Sequence, residues 1–291
     1  MTLRLATRSS MQARIQSEFV AAKITELTGH AVQLIFVDTA GDRDRTTPLA
    51  QLGGRGIFVK EVQQAVIEER ADFAVHSAKD LPSSFDAPGL TLAAVPRRHD
   101  ARDALVGASL NALTADSTVA TGSARREAIL GALIPGVSFV GLRGNTTTRV
   151  ARADQPEIDA VIAAVAGVTW VGLEGKISYV FSPEEMVPQV GQGALALECR
   201  ADDTRTIAAL QKLQDPSSRR AVDTERAFLK ELGGGCDQPV GAYATTVGDH
   251  ISVIGFLAAE VRGAHATATI VGDDPSVGAQ LADQLRAFLE R

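Results

Sequence analysis

The order of short apolar runs and longer amphipathic stretches constrains this chain most. Leu3 to Ala6 reads as a strand, Ser10 to Leu27 as a helix and Ala31 to Val37 as a second strand. Phe58 to Arg70 is helical in pattern, and Asp72 to His76 is a strand running into SAKDLPSS. This alternation predicts an α/β domain with parallel pairing, because parallel neighbours need a crossover long enough to hold a helix. In the helix from Ser10, the residues Met11, Ile15, Phe19, Ala22 and Ile24 are expected to form the apolar face. A second such unit begins near Ala101, where STVAT opens into GSARREAIL, VSFVGL into RGNTTTRVARA, and DAVIAAV into the helix-like AGVTWVGLEG. The segment VPQVGQGALALECR reads as a connection into a further strand, and Pro216 sits in the first turn of a helix through Leu232. Then the rhythm changes. Three strands near Val240–Thr245, Ile251–Leu257 and Ala264–Val271 follow on short turns, and a helix from Pro275 to Leu289 closes the chain. That is a small α+β domain with an antiparallel three-stranded sheet.

Charge narrows the partners. The net charge is −6, so general binding to nucleic acid or to an anionic membrane is not expected. The longest apolar stretch, Ala160 to Leu173, is too short to span a bilayer. The opening MTLRLATRSS has no apolar core of signal-peptide length, and there are only two cysteines. We therefore expect a cytoplasmic protein in a reducing compartment, without a Cys199–Cys236 disulfide.

Basic residues collect where predicted strands end. Arg8 follows the first strand, Arg125 and Arg126 lie in the first turn of the helix opened by TGS, and Arg143 and Arg149 follow VSFVGL. In open α/β sheets, ligands bind outside the carboxyl ends of the strands. Cations in a helix's first turn oppose its dipole, so Arg125 and Arg126 call for a compensating anion. Arginine grips planar carboxylates through paired hydrogen bonds. A small ligand with several carboxylates or phosphates fits the set; solvated surface charge is the plainer reading of any single member. In HSAKDLP, the Lys79–Asp80 pair is either an ion pair on a loop or a cation and a carboxylate aimed at a ligand.

His76 reads as a buried, hydrogen-bonded strand residue, and the scattered histidines lack zinc-like partners, so no metal is called for. Cys199 and Trp170 read as core. Cys236 differs, because it follows Gly233, Gly234 and Gly235 in LGGGCDQPVG. The glycines either present its thiol or form a turn in which the thiol is incidental.

Together these segments resemble the porphobilinogen deaminases, also called hydroxymethylbilane synthases. The matching stretches are LRLATRSS, TPLAQLGGRGIFVKEV, RADFAVHSAKDLP, ATGSARREAIL, LRGNTTTRV, DAVIAAVAGV, VGQGALALECR and ERAFLKELGGGCDQPVGAYA, in family order. The resemblance implies two α/β lobes like those of periplasmic binding proteins, residues 1–95 with 194–212 and residues 96–193. The site would lie between them, with a third domain, 213–291, carrying the cysteine loop. It implies a monomeric transferase that joins four porphobilinogen molecules head to tail with loss of ammonia, then releases hydroxymethylbilane by hydrolysis. The primer would be a dipyrromethane cofactor held by a thioether to Cys236. By the same resemblance Asp80 is the catalytic carboxylate, stabilising positive charge on the pyrrole nitrogens. Arg8, Arg125, Arg126, Arg143 and Arg149 bind acetate and propionate groups. Ser10, Ser77, Lys79, Thr121 and Ser123 line the same cleft, with Gln16, Phe58 and Gln192 near the pyrroles, and residues 39–56 form a mobile cover. The chain departs from the family at Trp170, where an arginine is usual, and at Gln51, where a lysine is common in some members. Asp237 stands beside the attachment cysteine, where its charge would raise the thiol's pKa. Two other readings remain open: a two-lobed solute-binding module, or a relative that binds pyrroles without turning them over.

Overall fold

The computed structural model describes residues 2–39, 56, 59–82, 87–233 and 239–290. The chain forms two compact units, Met1–His99 with Ala194–Arg219 and Asp100–Gly193 with Arg220–Arg291. The expected cover over residues 40–55, Phe58, and the loop of Cys236 and Asp237 lie outside the described residues.

The first unit contains β1 (Thr2–Arg8), β2 (Ala31–Val37), β3 (Phe73–Ser77) and β4 (Leu90–Ala94), completed much later in the chain by β10 (Leu195–Arg200). Its sheet has the order β2-β1-β3-β10-β4. β1 pairs in parallel with β2 and β3, as expected, but β10 runs antiparallel between β3 and β4. β10 can run antiparallel because the chain returns to this sheet after residues 100–193 rather than through a local crossover helix. β4 was hidden in the sequence by its brevity and its flanking prolines.

The helix Met11–Thr28 is capped by the Ser10 side chain, which accepts from the Ala13 amide. It ends at Gly29, whose left-handed φ of 70° lets its amide donate to the Thr25 carbonyl. Its buried face is Gln16, Ser17, Val20, Ala21 and Ile24. The expected face is thus rotated: Met11 and Phe19 are 53% and 37% exposed. The cause is a polar contact that hydrophobic periodicity cannot register. The Ser17 hydroxyl donates to Thr7 Oγ1 at 2.7 Å and turns that edge of the helix inward. His76 is buried and hydrogen-bonded as expected, its Nε2 lying 3.0 Å from the buried Glu198 carboxylate, which also accepts from Gln63 Nε2 at 2.9 Å.

The second unit contains β5 (Asp103–Gly107), β6 (Thr118–Ala120), β7 (Ser138–Val140), β8 (Ala160–Ala164) and β9 (Ile177–Val180), in the order β7-β6-β8-β5-β9. β6 runs parallel to β7 and β8, whereas β5 is antiparallel to β8 and β9. A separate sheet is formed by β11 (Val240–Val247), β12 (His250–Ala258) and β13 (His265–Gly272), antiparallel throughout, as the change of rhythm predicted. The helix Val277–Leu289 covers it with Leu281 and Leu285, each contributing about 1.5–3 kcal/mol through burial. It approaches the helix Pro216–Glu231 so closely that a Cβ at Gly278 would meet the Thr224 carbonyl oxygen at 2.0 Å. Trp170 ends the helix Val165–Trp170 half-buried, not in the core as expected.

Candidate active site

In the first unit, parallel pairing of β1 and β3 brings two strand ends to one edge. Arg8 ends β1 and Ser10 follows it; Ser77 ends β3, and Lys79 and Asp80 follow it. The chain leaves β3 through one 3-10 turn, Ala78–Asp80, which β10 pins by accepting the Ala78 amide at the Ala194 carbonyl, 2.9 Å away. Gln16 reaches the same edge from the first helix, and its side-chain oxygen lies 3.5 Å from the Ser77 hydroxyl. The half-buried Asp80 carboxylate makes no hydrogen bond or ion pair with any described residue. A partly desolvated carboxylate without a partner among the described residues is suited to meet a cation.

In the second unit, Thr121 and Ser123 follow β6, and Arg143 and Arg149 follow β7. Ser123 caps the helix Ala124–Leu133, accepting from the Arg126 amide, while Thr121 Oγ1 accepts from the Ser123 amide. Arg149 Nε donates to the Gly144 carbonyl at 2.8 Å. Arg143 is half-buried, and its Nε, shielded from solvent, lacks an acceptor among the described residues.

Arg125 and Arg126 behave differently from the sequence expectation. The compensating anion is internal. Asp103 is wholly buried; its Oδ2 accepts from Arg125 Nη2 at 2.7 Å and its Oδ1 from Arg126 Nη2 at 2.6 Å. Gln192 Nε2 donates to the same Oδ1 at 2.9 Å and to the Ala101 carbonyl at 2.7 Å. Arg125 Nη1 donates to the Val187 carbonyl and Arg126 Nη1 to that of Ile162. Burial alone would raise the Asp103 pKa, but the two guanidiniums outweigh it and hold the carboxyl well below the usual range. Burial presses Arg125 downward; Asp103 opposes this, and Arg126 adds to the lowering. A guanidinium nevertheless keeps its proton at neutral pH.

The sequence reading missed Asp103 because it looked after strands. β5 is antiparallel, so the residue that begins it lies at the edge where β6 and β8 end. An acid opening the run DALVG, in a chain with an unbalanced Arg-Arg pair, was the available signal. Glu225 was also missed. Buried on the helix Pro216–Glu231, it accepts the Gly191 amide at 2.7 Å and the Ala244 amide at 2.9 Å.

Comparison with known proteins agrees with the motif reading. The model described as porphobilinogen deaminase, dipyromethane cofactor binding domain, matches residues 3–208. The porphobilinogen deaminase C-terminal domain matches residues 220–287. The chain belongs to the porphobilinogen deaminase family. The porphobilinogen deaminase of Roseiflexus sp. (strain RS-1) is 41% identical over 98% of this chain and 95% of its own length. That of Brevibacillus brevis is 40% identical over 98% and 94%. Among solved structures, an ABC transporter periplasmic substrate-binding protein from Coxiella burnetii overlaps 74% of this chain and 92% of its own, at 12% identity and a TM-score of 0.46.

The residues present suit the family's cofactor. Arg126 Nε and Arg143 Nε are shielded donors without an acceptor among the described residues, as carboxylate ligands would be before their ligand arrives. Of the two thiols, Cys199 is 0% exposed within β10, and its pKa is pushed up to about 12, chiefly by burial. Such a thiol yields almost no thiolate.

Proposed function

We propose that this chain is a hydroxymethylbilane synthase, a transferase that joins four porphobilinogen molecules head to tail with loss of ammonia and releases hydroxymethylbilane by hydrolysis. The observation that carries the catalytic assignment is Asp80, a half-buried carboxylate without a described partner, on a short turn pinned by β10. When bound, the dipyrromethane supplies a free pyrrole α-carbon as nucleophile and a fixed primer for the chain. Cys236, at the family's attachment position in LGGGCDQPVG, would hold it, and the burial of Cys199 supports that choice. Asp80 faces the positive charge that develops on a pyrrole nitrogen as ammonia leaves, and accepts or returns the proton there. Arg8, Lys79, Arg126, Arg143 and Arg149 orient the acetate and propionate groups, Ser10, Ser77, Thr121 and Ser123 assist as polar ligands, and Phe58 serves the pyrroles. Gln16, Arg125 and Gln192 are buried and act from beneath, by holding their neighbours.

The protein works as a cytoplasmic monomer without nucleic acid. No helix among the described residues is long and apolar enough to cross a membrane. Intact mass under denaturing conditions tests the assignment. The expected result is an excess of two linked pyrrole units on the Cys236 peptide, together with tetrapyrrole formation from porphobilinogen. Asp80→Asn should keep the fold and the attached primer while lowering kcat by roughly 10²–10⁴-fold. A chain that stays bare after incubation with porphobilinogen, or an Asp80→Asn variant of full activity, refutes it.

A further inference from the structure

Charge counting around Asp103 leaves a remainder. One buried carboxylate is shared between two guanidiniums, each taking one oxygen. The other partners of those guanidiniums among the described residues, the Val187 and Ile162 carbonyls, are neutral. Gln192, on the same carboxylate, is neutral too. The cluster therefore keeps an excess of one positive charge, and Arg126 Nε remains a buried donor without an acceptor among the described residues. A buried charge is costly unless it is matched.

The two arginines do not have the same freedom. Both are tied through both terminal nitrogens, Arg126 to Asp103 and the Ile162 carbonyl, but only Arg125 has its Cδ against β11, 2.9 Å from where a Cβ on Gly241 would stand, and Arg125 is the more constrained. It is a strut. Arg126 shares the anchor on Asp103 but keeps Nε to offer. Remove the anion, and each side chain loses one of its two terminal-nitrogen contacts, keeping only a neutral carbonyl.

We propose that Asp103 is a positioning residue that sets the charge of this site: it locks Arg125 in place, orients Arg126, and holds the excess at a single positive charge, so that the cluster takes one carboxylate. The inference rests on the reading of this edge as a carboxylate-binding face. It adds a limit on the grip. An excess of two would favour dianions and hold a substituent that has to be released.

The test uses sulfate as a dianion probe, its affinity measured by calorimetry on the purified full-length protein, alongside KM and kcat for porphobilinogen. Asp103→Asn preserves shape and removes one negative charge. It should bind sulfate roughly tenfold tighter than the native chain, from the added unmatched charge. Its kcat should fall by a larger factor than KM changes. The charge-balanced double variant Asp103→Asn/Arg125→Met should return to native sulfate affinity. A folded Asp103→Asn with unchanged or weaker sulfate binding overturns the proposal and leaves Asp103 a merely structural acid. If the single variant does not fold, the double variant decides: native-like sulfate affinity supports the proposal, and loss of affinity or folding overturns it. A native chain that forms no tetrapyrrole and carries no pyrrole on Cys236 refutes the enzymatic reading alone, because the sulfate series is read independently of turnover.

Discussion

Gly241→Ala isolates the junction between the strand leaving the Cys236 loop and the arginine cluster. Gly241 lies near the start of β11, and an added Cβ would stand 2.7 Å from the Pro188 carbonyl oxygen, 2.8 Å from that of Val187 and 2.9 Å from Arg125 Cδ. All three are closer than carbon tolerates, and none can move cheaply. Two are main-chain atoms. The third belongs to a side chain held by Asp103 at 2.7 Å and by the very Val187 carbonyl that crowds the methyl. Overpacking of a tight interior by one methyl costs about 1–3 kcal/mol, and the upper end applies where relief would break a buried ion pair. Urea unfolding monitored by circular dichroism measures this, with the midpoint shifting at constant slope. Gly29→Ala is the control. It meets nothing within 4 Å, so its cost is the left-handed backbone alone, about 1 kcal/mol. If Gly241→Ala costs no more than Gly29→Ala, and sulfate affinity is unchanged, the close packing of β11 on Arg125 is wrong.

Three further outcomes are expected. Asp103 has a depressed pKa in the folded chain, so its contribution is full above the unfolded value of about 3.9 and fades as pH falls below it; the stability gap between the native chain and Asp103→Asn should stay flat at neutral pH and shrink only in acid, in urea titrations across pH. Glu225→Gln supplies one acceptor where two amides are bound, at a cost of about 1–3 kcal/mol, with faster hydrogen exchange at Gly191 or Ala244; unchanged exchange at both refutes the staple. Cys199, with its pKa pushed up to about 12, should resist iodoacetamide in the native protein at mildly alkaline pH and react once urea is added; rapid labelling of the folded chain contradicts its burial.

Much of the fold was legible because local signals agreed. Ala31–Val37 is bounded as its apolar run suggested, and the three C-terminal strands fall where short turns placed them. What escaped was tertiary. Whether β5 and β10 run with or against their neighbours depends on chain returning from a distance, which no local period encodes. For the same reason the strand-end rule, which picked out Arg8, Arg125, Arg126, Arg143 and Arg149, passed over Asp103, which opens its strand. Gln16 and Ser17 on the buried face of the first helix are invisible to hydrophobic periodicity, since their burial is satisfied by hydroxyl and amide contacts. Motif resemblance gave Arg125 and Arg126 one role, as carboxylate ligands, whereas the structure holds both on the buried Asp103.

The position of β10 also bears on how the chain comes off the ribosome. It fills the space between β3 and β4, strands made about a hundred residues earlier. Until Leu195–Arg200 emerges, the first unit has two unfinished strand edges, and the turn that presents Asp80 lacks its tie to Ala194. The edge that carries Asp80 therefore matures late in synthesis. Nascent chains arrested before β10 should expose those edges to chaperones or to one another, whereas chains released just after it should already protect them.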